Sequence, residues 1–140
     1  PKTTDSEIKK EAQFIIKNFE EEVKFLQSFE LWYETEHCLF VHSGINLMKK
    51  DWKNEKKESF LRHREEFYYN SHTIDKRIFF GHTPTPIIRK EKNNFDIWIS
   101  SEQDKVGLDG GCDFGGQLNG IKTNDKGKIL EKIVIPSKSH

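Results

Sequence analysis

Two short apolar runs in this chain end in the same way. Leu39-Phe40-Val41 leads into His42-Ser43-Gly44, and Ile78-Phe79-Phe80 leads into Gly81-His82-Thr83-Pro84-Thr85. Each reads as a buried strand stopped by small residues. Short buried strands need other elements to cover them, which commits the chain to a layered domain. A histidine just beyond such a strand is rigidly placed, and its ring can still reach a cleft. In open α/β sheets, ligands bind in the crevice outside the strand ends.

The rest of the chain supplies the covering elements. Thr4 and Glu7 have capping-box spacing. Ile8, Ala12, Ile15, Phe19, Val23 and Leu26 then recur at intervals of three and four, the stripe of a helix packed on a core. Asn18 is the expected point of a break or bend. Residues 31–35 and 38–42 read as a β-hairpin across Glu36-His37. Residues 44–58 form an irregular polar connection, residues 60–69 a helix, and residues 77–80 a strand.

The last third reads as all-β. Strands are expected over residues 87–89, 95–100 and 105–108, followed by a Gly-rich run over 109–116 in which Cys112 is a small buried filler. Strands over 117–122 and 128–135 flank the turn Asn124-Asp125-Lys126-Gly127. The order is helix, hairpin, helix, then mixed, mostly antiparallel strands. The fold class is α/β or α+β.

Composition removes several functions. Lys plus Arg equals 23 and Asp plus Glu equals 23, without the basic excess a nucleic-acid binder uses to release counterions. No apolar run approaches the roughly 20 residues of a membrane span, and no signal-peptide pattern opens the chain. Cys38 and Cys112 are the two cysteines. They make no disulfide framework and have no C-x-x-C spacing, which fits a reducing, cytoplasmic setting. The sequence starts at Pro1 and its one methionine is Met48. The expectation is a processed start or a piece of something longer.

Imidazole is the commonest side-chain metal ligand near neutral pH. His42 and His82 are therefore candidate ligands, set against the commoner role of a hydrogen-bonded structural histidine. His37, His63, His72 and His140 have no matching context.

Four stretches in order carry a family resemblance. His42-Ser43-Gly44-Ile45-Asn46 resembles the H-[AS]-G-[IL]-N stretch of bacterial phosphoprotein phosphatase family members. These calcineurin-like dinuclear metallophosphoesterases include protein serine/threonine phosphatases and diadenosine tetraphosphate hydrolases. Arg64-Glu65-Glu66-Phe67 resembles the family's R-[DE]-E-F helix, and Gly81-His82-Thr83-Pro84 its G-H-T-P strand end. Asp109-Gly110-Gly111-Cys112 with Phe114-Gly115-Gly116-Gln117-Leu118 resembles its closing segment.

The family's G-D-x-H-G, G-D-x-x-D-R-G and G-N-H-E motifs, which supply most metal ligands and the catalytic histidine, do not occur in this sequence. The resemblance thus implies that residues 1–140 are the C-terminal half of an α/β/β/α metallophosphoesterase sandwich, with the N-terminal half as a partner. Arg62 and His63 replace the Trp and aliphatic residue that often precede the family arginine, and Phe114 lacks a phenolic hydroxyl.

By the same resemblance, His42 and His82 ligate one ion of a pair of divalent metals, Mn, Fe or Zn. Arg64 binds the substrate phosphate, through a planar fork suited to two of its oxygens. No catalytic residue lies in this chain. The implied activity is phosphomonoester hydrolysis, first on phosphoserine or phosphothreonine in proteins. The alternatives are dinucleoside tetraphosphate hydrolysis, or a non-catalytic interaction module. Two histidines cannot hold two metals, so the isolated chain is expected to be inactive. Exposed half-fold surfaces are expected to favour a homodimer.

Overall fold

The structure, a computed structural model, describes residues 4–62 and 65–138. It divides into a helical unit up to Glu30 and a mixed α+β unit from Leu31 onward. In the helical unit, α1 (Asp5–Asn18) opens on the capping box read from the sequence. Thr4 accepts from the Glu7 amide, and the Glu7 carboxylate accepts from the Thr4 amide at 2.7 Å. The break falls where Asn18 predicts it. The Asn18 side-chain amide donates to the Phe14 carbonyl at 2.7 Å. Phe19 leaves helical geometry before α2 (Glu20–Gln27). Neither helix contains a buried residue, so the apolar stripe expected to pack on a core does not build one within this unit.

The second unit is organised around a mixed five-stranded sheet in the order β1-β2-β3-β5-β4. Hairpin strands β1 (Trp32–Glu34) and β2 (Cys38–Val41) pair antiparallel, and β2 pairs parallel with β3 (Arg77–Phe80). Strand β5 (Lys105–Gly107) adds parallel to β3, and β4 (Trp98–Ile99) closes the edge antiparallel. The central runs are apolar without alternation because both faces are covered.

Leu39, Val41, Ile78 and Phe80 face one core, with Phe60 of α3 (Lys57–Arg62), Phe67 and Tyr68 of α4 (Glu65–Tyr69), Ile45 and Trp52. Cys38, Phe79 and Val106 face a second core, reached by Ile121 and Ile129. Those two belong to a separate hairpin, β6 (Gln117–Thr123) and β7 (Ile129–Pro136). Helices therefore cover one face of the sheet and a β-hairpin the other. Among the described residues, no helix is long and apolar enough to cross a membrane.

Three expectations change. Residues 87–89 are not a strand but part of α5 (Thr85–Arg89). Ile87 and Ile88 look β-forming, yet Pro86 in the first turn presets helical φ and lacks a donor that this position would leave unpaired. Lys90 stops the helix with a left-handed φ of 62°. The strand expected over 95–100 shortens to Trp98–Ile99. The carbonyls ahead of it are bound by side chains instead. Phe95 accepts from Asn119 at 2.8 Å, and Ile97 from Arg89 at 2.5 Å. Cys112 is exposed rather than buried. It sits in a 3-10 turn over Cys112–Phe114.

Candidate functional site

The parallel register of β2 and β3, with Phe40 opposite Phe79, brings their C-terminal ends side by side. His42 follows β2 directly. Gly81 comes between β3 and His82, and its amide donates to the His42 carbonyl at 2.8 Å. The two histidines, far apart in sequence, thus become neighbours. His42 Nε2 stands 3.2 Å from His82 Nδ1, with ring centroids 4.9 Å apart and planes tilted by 57°. The sequence paired these two residues by context, and the fold places them together.

Each ring sits on an over-determined backbone. Behind His42, the Ser43 hydroxyl is buried and donates to the Phe60 carbonyl at 2.7 Å, while its amide donates to the same oxygen at 3.0 Å. Gly44 has a φ of 138°, and a methyl there would stand 2.6 Å from the Phe67 ring. Glycine is therefore required for the turn to pass under α4. Past β3, His82 has a φ of 69° and the Thr83 amide donates to the Gly81 carbonyl at 2.8 Å. That i to i+2 bond across a left-handed residue makes a γ-turn of the rare, strained kind. Thr83 is buried, and its hydroxyl is hydrogen-bonded to the Tyr68 phenol. The Tyr68 ring stacks on Phe80 at 5.6 Å.

The Gly-rich connection packs against this turn. The Thr85 amide donates to the Asp109 carbonyl at 2.7 Å, and Asp109 Oδ1 accepts from the Gly111 amide at 2.9 Å. The connection runs from β5 to β6 through the 3-10 turn Cys112–Phe114. Phe114 projects from it, 81% exposed. Arg64 lies outside the described residues. Among the described residues, no three His, Cys, Asp or Glu side chains converge as a metal site.

Sequence reasoning passed over a second polar cluster near the other end of the sheet. His72 Nε2 lies 3.2 Å from Asp104 Oδ2, with its side chain buried, and Lys105 is buried beside them. The only textual signal was a lysine inside an apolar strand, Lys105-Val106-Gly107-Leu108. Burial holds the His72 pKa below its ordinary 6.5. The Asp104 carboxylate opposes this shift, and the Lys105 ammonium adds to it.

His72 is therefore neutral in the folded chain at pH 7. As pH falls below about 6.5 the unfolded chain takes up the proton first. Its contribution to stability is complete above the unfolded pKa and is lost as pH falls through the lower folded value. Denaturation midpoints measured from pH 7.5 down to about 5 should drop less steeply in His72→Gln than in the parent. Parallel curves would show that His72 does not titrate differently on folding.

Comparison with protein families, with curated proteins and with solved structures finds no match to this chain.

Proposed function

We propose that this chain is the C-terminal half of a metal-dependent phosphomonoester hydrolase, with His42 and His82 sharing one divalent ion. The observation that supports this reading is the 3.2 Å separation of His42 Nε2 and His82 Nδ1 at the ends of adjacent parallel strands. Two imidazole nitrogens each about 2.0–2.1 Å from one ion, at tetrahedral or right angles, stand about 2.8–3.4 Å apart. The donor set suits Mn, Fe or Zn, for which imidazole is a good ligand. Bound divalent ions supply phosphate-oxygen binding and a water of lowered pKa. The chain's own contribution is to fix the two rings at the strand ends and, at Arg64, to bind phosphate.

The remaining ligands and the catalytic histidine are assigned to an N-terminal half with the G-D-x-H-G and G-N-H-E motifs. Phosphoserine or phosphothreonine in proteins is the first substrate class, and a dinucleoside tetraphosphate the second. A non-catalytic module is favoured by one reading of the same contact: at 3.2 Å, a neutral imidazole can donate to its neighbour.

Titration of the purified chain with Zn²⁺ separates the two. The metal reading expects weak binding that His42→Ala and His82→Ala each abolish, with no phosphatase turnover until an N-terminal half is added. Binding that survives both substitutions would remove the ligand assignment. Robust turnover by the chain alone with Mn²⁺ would remove the half-domain reading.

A further inference from the structure

The γ-turn that aims His82 is clamped from its far side by a buried hydroxyl pair, and we infer that Tyr68 and Thr83 are positioning residues for His82. The inference rests on the reading of His42 and His82 as a metal pair. A non-glycine residue at a φ of 69° persists only where its surroundings hold it. Two backbone bonds fix the ends of the loop, from the Gly81 amide to His42 and from the Thr85 amide to Asp109. Between these anchors, the Thr83 side chain determines whether the turn stays closed.

Thr83 is 2% exposed and Tyr68 is 3% exposed, so solvent cannot readily replace either hydroxyl partner. Tyr68 has little room to swing away. Its ring is stacked on Phe80, the last residue of β3, at an interplanar angle of 10°. Phe67, its neighbour in α4, meets the same Phe80 ring edge-on at 5.0 Å. The clamp therefore ties α4 both to the end of the strand and to the turn beyond it. Loss of the hydroxyl pair frees the peptide after His82 to relax toward ordinary φ, which carries Nδ1 away from His42. Both hydroxyls act through the backbone and neither would touch the ion.

The test uses the full chain with Tyr68→Phe, Thr83→Val and Thr83→Ser, and two readouts. One is the Zn²⁺ dissociation constant. The other is the amide–Hα coupling and Cα shift of His82 by NMR, which report its backbone without metal. Tyr68→Phe and Thr83→Val should weaken Zn²⁺ binding about tenfold, as removal of an orienting partner does elsewhere. Both should also shift the His82 signals off left-handed values. Thr83→Ser, which keeps the hydroxyl, should retain both properties.

Unchanged Zn²⁺ affinity or unchanged His82 signals in folded Tyr68→Phe would overturn the inference. If Tyr68→Phe does not fold, the contrast between Thr83→Val and Thr83→Ser decides it in the same way. If the parent chain binds no Zn²⁺, the metal reading fails, and the His82 signals alone decide whether the clamp sets the turn.

Discussion

Gly116→Ala is expected to destabilise the chain by about 3 kcal/mol or more, the upper range for forced overpacking. A methyl at Gly116 would stand 2.1 Å from the Gly110 carbonyl oxygen, 2.9 Å from that of Gly111 and 2.6 Å from the Phe95 ring. Two of these obstacles are backbone and cannot rotate away. They are also fixed by hydrogen bonds: the Gly116 amide donates to Gly111 and the Gln117 amide to Gly110, both at 2.9 Å. On its other side, the Gly116 carbonyl accepts from Ser137 at 2.9 Å.

The neighbouring Gly115 provides the control. Its φ is 81°, but a methyl there would meet nothing within 4 Å. Gly115→Ala should cost only the left-handed backbone penalty, about 1 kcal/mol. Urea denaturation of both variants checks the ordering. Equal losses would mean that the crossing of the two chain segments is looser than these distances.

Asp104→Ala is expected to be nearly as damaging, at about 3 kcal/mol, because it strands a charge. The Lys105 side chain is 1% exposed. Its ammonium donates to the Asn70 carbonyl at 2.5 Å and stands 3.7 Å from Asp104 Oδ1 and 6.0 Å from the centre of the Phe67 ring. Asp104 is itself held in place, since the Ser100 hydroxyl donates to it at 2.5 Å. Removing the carboxylate leaves a buried cation facing one carbonyl and an aromatic ring.

The double variant Asp104→Ala with Lys105→Met should recover most of the loss, since an apolar chain of similar length fills the same space without a charge. Denaturation of the single and double variants measures this directly. A double variant no more stable than Asp104→Ala would show that lost packing, not the stranded charge, causes the damage.

The readable and unreadable parts of this chain differ in physical kind. Strand β3 matches the run Arg77–Phe80 expected from its apolar residues and the Gly81 and Pro84 that follow, because an apolar segment bounded by turn residues has few alternatives. The Asn18 break and the turn before β7 were equally local. Ile87-Ile88 misled because β-branched residues carry a strand preference that Pro86 and the Arg89 ties to residues 96 and 97 override. The site divides the same way. His42 and His82 could be paired from their matching flanks. The Tyr68–Thr83 clamp and the His72–Asp104–Lys105 cluster join residues whose own neighbours say nothing of each other. Arg64, singled out by resemblance alone, lies outside the described residues.

The parallel pairing of β2 with β3 also governs when the two histidines can meet. Parallel neighbours cannot be closed by a tight turn, so the whole connection from His42 to Lys76, with α3 and α4 in it, must be gathered first. Contacts that close long loops form slowly and reward the chain late. The imidazole pair is therefore a feature of the finished sheet and not of any local fragment. An ion gripped by both rings would bind only the folded chain and would stabilise the entire sheet by mass action.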